Sequence, residues 1–119
     1  MAREIEYYRT LSGERPAEEF LIALPSKARQ KVVWVLKLIG ELEYVPSSYF
    51  SKMSGTDAVW ECRIDFGSNA YRILAFMDTG KVLLTNGFSK KKQKTPVAEI
   101  ERAERYRKDY FQRRGSDNG

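Results

Sequence analysis

Two arginines stand in apolar runs that read as neighbouring strands: Arg63 in "VWECRIDF" (59–66) and Arg72 in "AYRILAFM" (70–77). A guanidinium is a flat fork of donors that matches the oxygens of a carboxylate or a phosphate. Arg63 falls mid-strand, on the face opposite Trp60, Cys62 and Ile64. There it either pairs with an acid such as Glu61 or Asp65 or serves an anion. Arg72 is the odder of the two. It shares a face with Leu74 and Phe76 in a strand that reads as buried, so it must be paired or reach the rim of the sheet. An antiparallel turn at "GSN" (67–69) brings the two arginines onto adjacent strands, where two cations on one face form an anion site.

A third group of cations follows. Lys90, Lys91, Lys92 and Lys94 leave the end of the last predicted strand in "GFSKKKQKTP" (87–96). A lysine-rich connector is ordinarily a solvated loop. Gathered with Arg63 and Arg72, six like charges repel one another, and a bound phosphate chain would offset that cost. An amine crowded by like charges also gives up its proton more readily, which offers a base without histidine. Aromatic residues interleave with these charges: Tyr44, Tyr49, Phe50, Trp60, Tyr71 and Phe88. Nucleic-acid bases stack on such rings. Trp60 and Phe88 read instead as core, while Tyr49 and Phe50, in the "VPSSYF" loop, are freer to meet a ligand.

The composition narrows the chemistry. The chain has no histidine and a single cysteine, Cys62, which reads as a buried small hydrophobe. Ser-His-Asp triads, Cys-His pairs and the familiar zinc sites are excluded, and no cofactor is expected. A net charge of +5 raises the prospect of nucleic acid or an acidic protein as partner. No apolar run approaches a membrane span, and "MAREIEYYR" lacks the apolar stretch of a signal peptide, so a cytoplasmic location is expected.

The elements that would position these residues follow from pattern. A short strand is predicted over 3–9. Pro16 opens a helix through "AEEFLIAL" (17–24), and Pro25 ends it. Ala28, Val32, Val35, Ile39 and Leu42 form one stripe of a second helix over 26–42, with Gly40 as a blemish. Strands over 58–66, 70–77 and 82–88 alternate or run apolar between hairpin turns. Thr95 and Pro96 then start a final helix, with Thr95 as its N-cap and Val97, Ile100, Ala103 and Tyr110 as its apolar stripe. The expected fold is α+β, in the order β-α-α-β-β-β-α, with a small antiparallel sheet packed against an N-terminal helical hairpin. One domain spans 1–112, and 113–119 is expected to be a disordered tail.

Taken together, "VWECRIDFGSNAYRILAFM" and "VLLTNGFSKKKQKTPVAEIERAERYRKDY" resemble the phage-derived Gp49-like (HigB-type) branch of the RelE/ParE toxin superfamily. The residues that carry the resemblance are Trp60-Glu61-Cys62-Arg63, Tyr71-Arg72-Ile73-Leu74, Gly87-Phe88-Ser89-Lys90-Lys91, and Thr95-Pro96 with Glu99, Ile100 and Ala103. The resemblance implies a RelE-like fold and a type II toxin, a metal-independent endoribonuclease that cuts mRNA in the ribosomal A site. It also implies a small antitoxin partner, often a helix-turn-helix protein. The implied reaction is attack of a ribose 2′-hydroxyl on the adjacent phosphate. The resemblance makes Arg72 the phosphate-stabilising arginine and places Arg63 at a basic active-site position. It assigns the lysine block to RNA binding and proton transfer. The catalytic set is therefore Arg63, Arg72, Lys91 and Glu61, with Lys91 and Glu61 as proton-transfer candidates. The RNA-binding set is Lys52, Lys90, Lys92 and Lys94. Relatives that carry a tyrosine or histidine near the final helix are not matched here, where Thr95, Pro96 and Val97 stand. Two other readings stay open: a ParE-like inhibitor of DNA gyrase, and an inactive member that keeps only antitoxin or RNA binding.

Overall fold

The computed structural model describes residues 2–90 and 95–118. Eight elements follow one another: β1 (Glu4–Tyr7), α1 (Pro16–Ile22), α2 (Ser26–Glu41), β2 (Phe50–Lys52), β3 (Trp60–Phe66), β4 (Asn69–Asp78), β5 (Lys81–Lys90) and α3 (Val97–Asn118). The strands form one sheet in the order β1-β5-β4-β3-β2. The class is α+β, as expected, but the sheet is mixed rather than antiparallel. β1 runs parallel to β5, pairing Glu4 with Lys81 and Tyr7 with Leu84. Turn signals reveal pairing only between strands close in sequence, and these two lie at opposite ends of the chain.

β2 is a further departure. Three residues are too few to show alternation. Phe50, expected in a loop, is 5% exposed, pairs with Cys62 and stacks on Trp60 with ring centroids 4.8 Å apart.

The main core lies between the helical hairpin and one face of the sheet. Val32, Val35 and Ile39 of α2 meet Cys62, Ile64, Ile73, Val82 and Leu84. The 4-3-4 spacing of the stripe accounts for this burial as far as Ile39. Leu42 falls outside it, because α2 ends at Glu41 and Leu42 is already extended. Gly40 lies where the chain leading into β1 meets α2. Its carbonyl accepts hydrogen bonds from Ala2 N and Arg3 N, and a Cβ there would lie 3.4 Å from Arg3 O and Ile5 Cγ1. That is ordinary contact distance, so the approach of the chain leading into β1 does not depend on the missing side chain.

The opposite face carries a smaller cluster of Val59, Leu74, Phe88 and Ala103 beneath α3. Of the stripe expected on α3, Ala103 is buried, Ile100 is half-buried and Val97 is exposed. Tyr110 meets Phe76 edge-on. Pro96 rather than Thr95 occupies the cap position, since its carbonyl accepts from Glu99 N and Ile100 N. The helix also continues through the segment expected as a tail. Arg113 pairs with Asp109 and donates to Arg9 O, and Arg114 pairs with Asp78. These tertiary partners are invisible in a polar composition. Among the described residues no helix is long and apolar enough to cross a membrane.

Candidate functional site

The register of the sheet assembles the site. Arg63 on β3 and Arg72 on β4 are Cα partners, so both side chains leave the same face. Phe88 is the partner of Arg72 on β5, and Lys90 the partner of Ala70, two residues along. Glu61 shares the face with Arg63 and is the partner of Ser51 on β2. A cleft of about 380 Å³ opens there, lined by Ser51, Lys52, Glu61, Arg63, Lys90 and Thr95 among others. Every strand from β2 to β5 contributes to this corner of the molecule.

The two arginines differ in kind. Arg72 is buried, with 4% of its surface exposed. Its Nη1 donates to Tyr71 O at 2.8 Å, to Asp65 Oδ1 at 3.2 Å and to Ile64 O at 3.4 Å. These acceptors meet the cost of burying a cation. Its Nε is buried without a hydrogen-bond partner and faces Glu61 Oε1 at 3.8 Å. Arg63 is different. Its side chain is 38% exposed and makes one long contact, Nη1 to Glu61 Oε1 at 3.4 Å. Arg63 lines the cleft, and Arg72 stands behind it as part of the wall.

Glu61 lies between the two guanidiniums and is itself nearly inaccessible. Its second oxygen, Oε2, accepts a hydrogen bond from Thr95 Oγ1 at 2.6 Å. The pair of arginines is therefore not an open anion site. A built-in carboxylate already sits against both. Around the cleft, Lys52, Arg63, Arg72 and Lys90 outnumber the carboxylates of Glu61 and Asp65, so a positive field remains. Lys91, Lys92 and Lys94 lie outside the described residues.

The structure brings together Lys52, Glu61, Arg63 and Lys90, with Arg72 behind them. It does not bring the aromatic residues to the cleft. Trp60 and Phe50 stack on each other in the main core, Phe88 lies beneath α3, and Tyr71 packs on Phe20. Tyr49 turns its ring edge-on to Trp34, and Tyr44 is exposed elsewhere on the surface. Cys62 is fully buried, and desolvation first, then the Glu61 charge, pushes its thiol well above the usual range. It is not a nucleophile at neutral pH. Thr95 was read as a helix cap, and its place beside Glu61 has no local signal. Only the tertiary contact between residues 34 apart in sequence reveals it.

A second polar cluster ties α3 to the sheet on the same side. Tyr8 donates to Asp109, which also pairs with Arg113, and Tyr110 donates to Asp78, which also pairs with Arg114. The hydrogen bonds from Tyr8 and Tyr110 hold Asp109 and Asp78 below the usual carboxylate range, with the arginines adding to the effect. Burial, then the bond to Asp109, pushes Tyr8 up to about 12. These groups are mutually satisfied and read as structural.

A small α+β domain whose mixed sheet ends in a basic cleft defines the class. The model of the family described as "Phage derived protein Gp49-like" matches residues 19–108, and the chain belongs to that family, which is related to toxin–antitoxin systems. The matched span includes every cleft residue named above. A search of curated proteins finds no match to the chain.

Proposed function

We propose that the chain is the toxin of a type II toxin–antitoxin pair, a HigB-type member of the RelE/ParE superfamily with a RelE-like fold. Its activity is metal-independent cleavage of mRNA on the ribosome, and a small helix-turn-helix antitoxin is its natural inhibitor. One observation supports this reading above the others. Arg63, Lys52 and Lys90 face a cleft that also holds a buried carboxylate, Glu61, backed by Arg72.

Phosphodiester cleavage by a neighbouring 2′-hydroxyl needs two things, a proton acceptor and stabilisation of the extra charge on phosphorus. In the proposed reaction the 2′-oxygen bonds to phosphorus and the bond from phosphorus to the 5′-oxygen breaks. The products are a 2′,3′-cyclic phosphate and a 5′-hydroxyl. Arg63 and Lys90 balance the charge on the non-bridging oxygens. Lys52 holds the adjoining backbone. Glu61 takes the 2′ proton, and Arg72 stands against it from behind. Lys91 is the second candidate for proton transfer, to the departing oxygen, and Lys92 and Lys94 extend the basic track.

The test is a cell-free translation reaction to which purified protein is added, with new mRNA 5′ ends mapped by primer extension. Cuts on translated message that disappear with Arg63→Ala are the expected result. Intact message with normal translation overturns the reading and directs attention to DNA gyrase.

A further inference from the structure

The geometry points to Thr95 as a positioning residue of the cleft: its hydroxyl holds Glu61 in a pose that leaves Arg63 free to turn toward a phosphate. The inference rests on the RNA-cleaving reading above and adds a residue to it.

A carboxylate and a guanidinium close together ordinarily join through two parallel hydrogen bonds. Glu61 and Arg63 sit two positions apart on one strand face and do not. Thr95 Oγ1 donates to Glu61 Oε2 at 2.6 Å, and Oε1 is shared between Arg63 Nη1 at 3.4 Å and Arg72 Nε at 3.8 Å. Arg63 is left with a single long contact and a side chain partly open to the cleft. The Thr95 bond joins residues 34 apart in sequence and fastens the connector after β5 onto β3. Pro96 holds the cap position of α3, and the side-chain hydrogen bond of Thr95 is the one its hydroxyl donates to Glu61.

Removing that hydroxyl strips a buried acceptor of its partner, a cost that neighbouring groups move to relieve. Arg63 is the adjacent donor with room to move. In Thr95→Val it forks onto both oxygens of Glu61 and withdraws from the cleft.

Two measurements on the intact chain test this. The guanidinium ¹⁵N–¹H signals of Arg63 report how freely the group rotates. The affinity for a short 2′-O-methyl oligoribonucleotide, which cannot be cleaved, reports phosphate contact apart from chemistry. Thr95→Val is expected to slow Arg63 rotation and weaken binding about tenfold, the loss of one charge-assisted hydrogen bond. Thr95→Ser should match the parent protein in both. In the Glu61→Gln background, Thr95→Val should change neither. Thr95→Ala is the second variant should the valine not fold. Unchanged Arg63 signals in Thr95→Val overturn the inference, as does an equal loss of binding with and without Glu61. A parent protein that does not bind the oligonucleotide sinks the RNA reading, and the Arg63 signals then decide the positioning role alone.

Discussion

Arg63 and Arg72 are direct partners across β3 and β4, yet only Arg63 opens on the cleft. The pairing that sets them side by side also sets them apart in role. Arg72 lies beside Phe88 on a central strand, and its Nη1 donates to backbone carbonyls and Asp65. Arg63, one strand nearer the edge, meets solvent.

Arg63→Ala is accordingly expected to remove function and spare the fold. Loss of one preorganised donor at a transition state costs about 3 kcal/mol, on the order of a hundredfold in rate. Message cleavage should fall by that factor, while the thermal midpoint stays near that of the parent protein.

Arg72→Ala should behave in the opposite way. It leaves Glu61 with one cation fewer and opens a void in the wall of the sheet. Breaking a buried ion pair by removing one partner costs about 3 kcal/mol or more. Urea unfolding should register that loss. A midpoint within error of the parent protein is incompatible with the contacts described, and lost toxicity in this variant is not by itself evidence of a catalytic arginine.

Gly87 is expected to tolerate no side chain. A Cβ there would lie 2.3 Å from Phe20 Cδ2, so the α1 ring must move off β5. Overpacking of this kind costs about 1–3 kcal/mol. Gly87→Ala should lower the unfolding midpoint, and adding Phe20→Leu should recover part of it. Additive losses in the double variant would contradict the contact.

The seam between α3 and the sheet should set stability at both extremes of pH. Asp78 and Asp109 have lowered folded-state pKa values. Their contribution is complete above the unfolded carboxylate value of about 3.9 and is lost as pH falls through the folded values below it. Tyr8 and Tyr110 are raised, Tyr8 to about 12. Their contribution is complete below about pH 10, the unfolded tyrosine value, and is lost as pH rises through the folded values. Asp109→Asn should flatten the acid limb of an unfolding-midpoint profile, and Tyr8→Phe the alkaline limb.

Periodicity made most of the fold legible. The α2 stripe and the alternation of β3 report burial by one large flat partner, and that information is local. The pairing of β1 with β5 was not legible, because a parallel contact between distant strands leaves no turn behind. Within the site, Arg63 and Arg72 were legible as a pair because one short turn joins their strands. The difference in their exposure was not, since it depends on Phe88 and on acceptors at Ile64, Asp65 and Tyr71. Arg113 and Arg114 look like a solvated tail for a similar reason: their partners, Asp109 aside, stand far away in sequence.

The parallel pairing of β1 with β5 also bears on how the chain reaches its native state. β1 is synthesised long before β5, the strand that holds it. Emerging from a ribosome, β1, α1 and α2 must wait until residues 81–84 appear before β1 has a partner. Pairings so remote in sequence carry a high loop-closure entropy and form late. The hairpins of β3, β4 and β5 are local and can assemble first. β1 then docks last as a strap, with Gly40 receiving the chain on one side and β5 on the other. Until it does, the β5 edge is an open template for another strand, the period when an incomplete chain is most prone to aggregate.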